Sequence, residues 1–466
     1  MDLNQILPLD QLSSKQKDEL IVKLIQRIIE LEQKVAGLEN RLNQNSQNSH
    51  KPPSSDGFRK SRSLREKSGR KSGGQIGHSG QMLTICEKPD VIVEHQMDVC
   101  PHCQASLKDT THVGCNIAQV FELPELKIKV TEHRMLEKIC PSCHTFCLAS
   151  APDGVKCGLQ YGSQLKSLLI YLRDYHFLPS QRLTEFFEDV FSHSISEGII
   201  FDSEEKIFNT LVPFEERVKA ALKIQDVAHA DETSLRVEGK NHWLHVLATT
   251  DLTNYFVHTK RGKVAMDEMD ILPNFNGILC HDHWKPYFQY KCAHALCNAH
   301  HLRELKAVFE GTAHDWSNQM SALLKKIKIT KDEDRLNPSM FVAFATKYDE
   351  IIQLGYTQVN KITHTATGPP LKKSYPKEIC LLDRLKKHKA QVLMFMYNPD
   401  VPFDNNQAER DIRMMKVKIK VSGCFRQKNY AQIFCRIRSY ISTCKKRGLA
   451  ILASLTQAFN GHPITV

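Results

Sequence analysis

The chain has 466 residues, 41% of them hydrophobic, and a formal net charge of +11 with a pI near 8.9. That length exceeds one ordinary core and implies two to four domains. The basic balance points to a polyanionic partner such as nucleic acid, and no run reaches the ~18 uninterrupted apolar residues of a membrane helix. No secretory leader pattern opens the chain, so the 15 cysteines are expected in a reducing cytoplasm, where clustered thiols read as metal ligands rather than disulfides.

The first predicted element, within residues 1–46, is a coiled-coil helix. Ile21, Leu24, Ile28, Leu31, Val35, Leu38 and Leu42 recur in steps of three and four. With Ile21 at position a, the a set is Ile, Ile, Val, Leu and the d set is all Leu, a pattern that favours a parallel dimer. Arg27 with Glu32 and Lys34 with Glu39 would pair across it. The competing reading is an amphipathic helix packed on its own chain. Residues 47–95 follow as a basic linker. Between 51 and 80 eight Lys/Arg, including Arg59, Lys60, Arg62 and Arg65, face only Asp56 and Glu66. Such a segment cannot bury a core, and serves either as a spacer or as a phosphate-binding arm.

Residues 96–150 carry Cys100-Pro-His-Cys103 and Cys140-Pro-Ser-Cys143. A two-residue gap lets both thiolates of one turn face one metal, and two such turns complete a closed, structural four-thiolate Zn²⁺ site. The intervening segment is predicted to return through strands Gln119–Glu122 and Lys127–Thr131. Cys115, His144 and Cys147 stay open as rival ligands, and redox or free thiol pairs are the alternative. Residues 158–222 read as helices. Leu183–Val190, a turn at Ser192–Ser194 and Ile195–Ile200 suggest either a helix-turn-helix entering a major groove or plain packing helices.

From residue 223 the pattern turns to strands: Asp226–Leu235, Trp243–Thr250, Asn254–Thr259, a short helix near Met266–Met269, then Gly277–Cys280 and Ala293–Cys297. Glu238-Gly239-Lys240-Asn241 suits a hairpin turn. Asp231 lies inside the first strand and Asp282 at the end of the fourth, so adjacent strands could bring them together. Glu409 follows in Phe403-Asp-Asn-Asn-Gln-Ala-Glu-Arg410, where Asp404 and Gln407 read as a capping box and Glu409 falls in the second turn of the helix. Arg410, Arg413, Lys416, Lys418, Lys420 and Arg426 are candidate DNA-backbone contacts. Three hard carboxylates suit two Mg²⁺ or Mn²⁺ ions in phosphodiester chemistry, although among 52 acidic residues spacing alone does not single out this trio. His281 and His283 offer another metal reading, but in an extended strand they face away from Asp282. The 126 residues between Asp282 and Glu409 read as a helical insertion, 301–399. Its amphipathic runs are Leu302, Leu305, Phe309, Trp316, Met320, Leu323, Leu324 and Ile379, Leu382, Leu385, Val392. It is expected to pack, and to contact DNA or a dimer partner.

These motifs together resemble the insertion sequence 66 family of bacterial transposases. The zipper, Lys51-Pro-Pro-Ser-Ser-Asp56, Gly73-Gly-Gln-Ile-Gly-His78, the two Cys pairs, Asp231-Glu-Thr233, Asp282, Cys297-Asn-Ala-His300 and Asp404–Arg410 occur in the family's order. The resemblance implies a multidomain α+β protein. Its ribonuclease-H-like core (a mixed sheet with flanking helices, 223–300 and 400–445) would be interrupted by the insertion and end in a tail, 446–466. It implies an Asp-Asp-Glu metal site of Asp231, Asp282 and Glu409 that cuts at element ends and joins 3′-hydroxyls to target DNA. Terminal inverted repeats and target DNA are then the partners, in the bacterial cytoplasm at the nucleoid, with a homodimer or higher oligomer and accessory proteins of the same element. Two rivals stand beside it: a catalytically inactive DNA-binding regulator of the same ancestry, and a metal-dependent nuclease that does not join. Trp284 and Asn298 depart from the family pattern and put local pocket shape in question.

Overall fold

The computed structural model describes residues 13–42, 83–156, 158–363 and 377–466. Most of the predicted basic linker, including Arg59, Lys60, Arg62 and Arg65, lies outside the described residues. Helix α1 (Ser14–Leu42) forms as one element. Its stripe of Ile21, Leu24, Ile28, Leu31, Val35 and Leu38 is exposed.

The cysteine module folds around two matching turns. Cys100 N–H bonds Ala105 O and Gln104 N–H bonds Cys100 O; Cys140 N–H bonds Thr145 O and His144 N–H bonds Cys140 O, all at 2.9 Å. Gln104 and His144 both take a left-handed backbone, at φ 63° and 54°, which turns the chain back behind each cysteine pair. Strands β1 (Glu137–Ile139) and β2 (Phe146–Leu148) pair antiparallel around the second turn. The strands predicted at Gln119–Glu122 and Lys127–Thr131 do not form. Those residues are extended but no neighbouring strand among the described residues supplies a ladder, and Val120 and Val130 stay exposed. Gln119 instead brackets the backbone of Cys86 with two 2.7 Å bonds, a side-chain substitute for pairing.

Helices α2 (Ser163–Ile170, continued by a π-helical turn Tyr171–Tyr175), α3 (Ser180–Phe191), α4 (Glu197–Thr210) and α5 (Val212–Lys223) follow. Leu183 and Phe187 of α3 pack with Ile195 and with Ile200 of α4. Ile207 joins the main core, so α4 is anchored along its length by packing.

A five-stranded sheet then organises the molecule. Strands β3 (Val227–Val237), β4 (Lys240–Ala248) and β5 (Thr253–His258) form an antiparallel meander. Glu238 and Gly239, at φ 52° and 72°, make the two-residue turn whose paired left-handed residues match strand twist. After α6 (Lys263–Glu268), β6 (Ile278–His281) pairs parallel with β3, and β7 (Ala293–Leu296) parallel with β6. The order is β5-β4-β3-β6-β7. Gly277 opens β6 because the backbone leaves no room: a Cβ there would lie 2.1 Å from Gln225 O and 2.7 Å from Asp226 O.

Helices α7 (Asn298–Thr312), α8 (Asp315–Asp332), α9 (Pro338–Thr363), α10 (Lys377–Lys387), α11 (Lys389–Val392) and α12 (Met394–Tyr397) form the insertion. They carry a core of their own around Trp316, Tyr348 and Leu382, which reaches Cys280, Ala295 and Leu296 of the sheet. The first predicted amphipathic run is two helices, broken where Ala313 turns left-handed at φ 54°, which leaves Phe309 exposed. Helices α13 (Asn406–Ser422) and α14 (Lys428–Lys446) return to the sheet. The predicted C-terminal tail instead contains α15 (Ile451–Phe459), whose Leu455, Ala458 and Phe459 complete the main core. Three apolar residues at helical spacing bury one face and hold the segment down. Among the described residues no helix is long and apolar enough to cross a membrane.

Candidate metal centre

Side chains alternate across a strand, and this sorts the β3 residues. Leu235 and Val237 share a core with Ala408, Ile412 and Met415 of α13, so Asp231, two positions apart in step, also faces α13. Ala228 and Ala230 enter the opposite core, and Glu232 leaves on that side. Asp282 lies just past β6, the direct neighbour of β3.

Asn405 holds α13 against the sheet. Its Oδ1 meets His229 Nδ1 at 2.9 Å, its Nδ2 donates to Ala230 O at 2.8 Å, and its N–H donates to Cys297 Sγ at 3.2 Å. Asn405 is the residue before the helix, so Glu409 sits in its first turn, not the second. The predicted capping box is not made: no side chain caps the helix, and Asp404 accepts instead from Asn406 N–H at 3.1 Å.

The acids also act on one another's titration. Burial raises the Asp231 carboxyl well above the usual range, and Glu232, Asp282 and Glu409 push it further, against a 2.8 Å bond from Glu232 N–H. Burial also raises Glu409; Arg303 and Arg413 oppose this, while Asp404 and Asp282 add to it. Glu409 Oε1 is buried without a hydrogen-bond partner among the described residues. Buried like charges plus a carboxylate oxygen that accepts no hydrogen bond among the described residues form a hard donor set. A divalent cation fits that description.

The three carboxylates do not all close to within 4.8 Å. The described cluster that does is Cys297, His300 and Glu409, with His300 Nδ1 3.9 Å from Glu409 Oε1. Burial pushes the Cys297 thiol up to about 12, and Glu409 adds to that. Sequence reasoning matched Cys297 and His300 to a motif without giving either a place at Glu409. It placed Asn405 only as a neighbour of Glu409 within the Phe403–Arg410 motif; the bonds of Asn405 to His229 and Ala230 join segments over which no periodic signal runs.

His281 belongs to a different environment. Burial, then His294, lowers its imidazole to about 3, and its Nε2 meets His294 Nδ1 at 3.1 Å. Burial, then Arg384, lowers His283 to about 3 as well. Among the described residues neither joins a group of three ligand atoms within 4.8 Å. Trp284 and Asn298 have clear local roles. Trp284 stacks on Arg261 at 4.3 Å. Asn298 donates to Val392 O at 3.0 Å and meets His301 Nδ1 at 3.0 Å, tying the start of the insertion to its end.

Arg410, Arg413, Lys416, Lys420 and Arg426 are exposed. Glu409, Arg413, Lys416 and Lys420 recur at i, i+4, i+7 and i+11, one stripe of α13. Lys418 is a correction. It lies roughly half a turn from that stripe, is 7% exposed, and sits over the rings of Phe425 and Phe434 at 5.4 and 5.2 Å. Its charge faces Arg173, Asp174 and Glu204, so it cannot reach DNA.

In the cysteine module the hydrogen bond between Cys143 and the Thr145 hydroxyl (3.2 Å), with backbone help, holds the Cys143 thiol down to about 7. Cys100 is lowered by backbone bonds at Cys103 and His102. Thiols poised toward thiolate are what Zn²⁺ requires. Among the described residues the two pairs do not merge into one cluster.

Residues 98–144 match the zinc-finger binding domain of transposase IS66, which supports structural Zn²⁺ at this module. Residues 6–84 match a family of unknown function. A 115-residue stretch is 27% identical to an uncharacterized protein, y4jO, of Sinorhizobium fredii, covering 24% of this chain and 30% of that protein. The chain thus spans about a third of the length of that curated relative. Residues 158–433, more than half of the chain and all five strands of the sheet, match the transposase IS66 family, and the chain belongs to that family.

Proposed function

We propose that the chain is a DNA transposase that uses Asp231, Asp282 and Glu409 as ligands for two divalent metal ions, Mg²⁺ or Mn²⁺. The observation that carries the reading is the placement of these acids on β3, just past its parallel neighbour β6, and in the first turn of α13, which packs on β3, beside the exposed stripe of Arg413, Lys416 and Lys420. On this reading the sheet, with three antiparallel strands followed by two parallel ones, is a ribonuclease-H-like core. Helix α1 pairs with a second copy through its exposed apolar stripe.

The two cations would supply the charge that activates an attacking oxygen and stabilises a leaving one. Asp231 would hold the cations from β3. Asp282, just past β6, and Glu409, in the first turn of α13, would complete the ligand set. Arg413, Lys416 and Lys420 hold the DNA backbone without reading sequence. In the first step water oxygen bonds to phosphorus and the bond to the 3′ oxygen breaks, leaving a 3′-hydroxyl and a 5′-phosphate. In the second that 3′-hydroxyl oxygen bonds to a target phosphorus as the target's own 3′-oxygen bond breaks. The hydroxyl proton passes to solvent.

The test is a strand-transfer assay with element-end DNA and Mg²⁺ or Mn²⁺. Wild-type chain should cleave and join; Asp231→Asn, Asp282→Asn and Glu409→Gln should do neither while still binding DNA. Cleavage without joining identifies a nuclease. Salt-dependent binding without cleavage identifies a regulator.

A further inference from the structure

Glu232 stands next to Asp231 but cannot share its role. Its side chain is 1% exposed and both carboxylate oxygens are taken. Oε1 accepts from Arg261 Nε at 3.0 Å and Nη2 at 2.6 Å, and Oε2 accepts from the Tyr287 hydroxyl at 2.6 Å. Arg261 in turn lies between two indoles, 4.8 Å from the Trp243 ring centre and 4.3 Å from that of Trp284. Trp284 packs edge-on against Tyr287 at 5.5 Å.

These contacts link two of the proposed metal ligands. Glu232 N–H donates to Asp231 Oδ1 at 2.8 Å, and Trp284 N–H donates to Asp282 Oδ1 at 3.0 Å. A chain of contacts therefore runs from Asp231 through Glu232, Arg261 and Trp284 to Asp282. Arg261 links the β3 side, through Glu232, to the Asp282 turn, through Trp284, and Tyr287 braces the same two residues. The guanidinium gives one Glu232 oxygen two donors while lying over both rings, a combination that a point-charge ammonium does not offer. A lysine would keep the charge and lose the stack.

We infer that Arg261 is a positioning residue of the metal centre: by gripping Glu232 and stacking on Trp284 it sets the placement of Asp282 relative to Asp231 before any cation arrives. The inference rests on the reading of Asp231 and Asp282 as metal ligands. Partners that orient ligands in this way typically account for about 10–100-fold in metal affinity.

The experiment uses the full chain with Mn²⁺ as the probe, its binding followed by the loss of the free-ion EPR signal. In parallel, the Mg²⁺ concentration giving half-maximal DNA cleavage is measured. Arg261→Ala should weaken Mn²⁺ binding about tenfold and raise the half-maximal Mg²⁺ by a similar factor. The rate at saturating metal should change far less. Arg261→Lys should recover only part of the loss. Tyr287→Phe removes one bond to Glu232, is the variant to use if Arg261→Ala does not fold, and should weaken Mn²⁺ binding about threefold. Arg447→Ala, which breaks a 3.3 Å pair with Asp251, controls for general loosening and should leave Mn²⁺ binding unchanged. Asp231→Asn defines the baseline without the centre. If Asp231→Asn abolishes binding while Arg261→Ala and Tyr287→Phe bind like wild type, the clamp is overturned and the metal centre stands. If Asp231→Asn itself binds Mn²⁺ like wild type, the metal-centre reading falls and the clamp falls with it.

Discussion

Asp231→Asn should make the metal-free protein more stable, and by an amount that depends on pH. The asparagine keeps an oxygen where Asp231 Oδ1 accepts the 2.8 Å bond from Glu232 N–H, so little but the charge is lost. That charge is unwelcome: burial, then Glu232, raises the Asp231 carboxyl well above the usual range, with Asp282 and Glu409 adding to it. An acid whose folded value exceeds its unfolded value holds its proton longer in the folded state. Stability therefore falls as pH rises from the ordinary Asp range, near 4, through the raised folded value, and is flat beyond it. Below pH 4 wild type and variant should match; at pH 8 the variant should lead. For one charge removed from a partly solvated like-charge cluster we expect about 1–2 kcal/mol, roughly 2–5 °C in Tm. Mg²⁺ should close the gap from the other side, since a ligand at ten times its Kd adds about 1.4 kcal/mol to wild type and little to the variant. Thermal melts at pH 4 and pH 8, with and without Mg²⁺, read all four corners. A variant no more stable than wild type at pH 8, or an advantage undiminished at pH 4, would refute the account of the acid cluster.

Replacing Cys100 and Cys140 with serine should release zinc and unfold the cysteine module; unchanged zinc content by elemental analysis would remove the metal from it. Lys416→Ala should weaken DNA binding evenly across sequences and lower the salt slope by about 1 without changing Tm, because the side chain is exposed. Lys418→Ala should do the reverse, costing about 3–5 kcal/mol as a buried charge cluster loses its cation and leaving the salt slope of the folded fraction intact. Equal salt slopes for the two variants would undo the assignment of faces on α13. Gly277→Ala should cost several kcal/mol, since its Cβ would lie 2.1 Å from a backbone oxygen and overpacking against rigid atoms cannot relax; a fully stable variant by urea melt would contradict that strand register.

Local pattern carried much of the fold. The five strands of the main sheet lie within a few residues of where alternation and turn chemistry put them, because a half-buried sheet imposes period two on its own sequence. Glu238-Gly239 announced its turn for the same local reason, a need for two left-handed residues. The matching turns at Cys100 and Cys140 are short-range bonds from one residue to the next few, so spacing alone conveyed them. Order of motifs also conveyed the family, which no single carboxylate could.

What required the tertiary structure were the relations between distant segments. Extended segments around Gln119 and Lys127 alternate like strands, yet a strand needs a neighbour and none is supplied there among the described residues. Lys418 reads like the lysines around it until α13 is laid on the sheet and half a turn separates it from them. Asn405 reaches Ala230 across 175 positions and Arg261 reaches Glu232 across 29, spans over which no periodicity operates. Asp231 and Glu232 are adjacent acids in sequence. Only the two faces of β3 give one to the cluster with Asp282 and Glu409 and the other to a guanidinium, because burial and partner are properties of a place and not of a residue type.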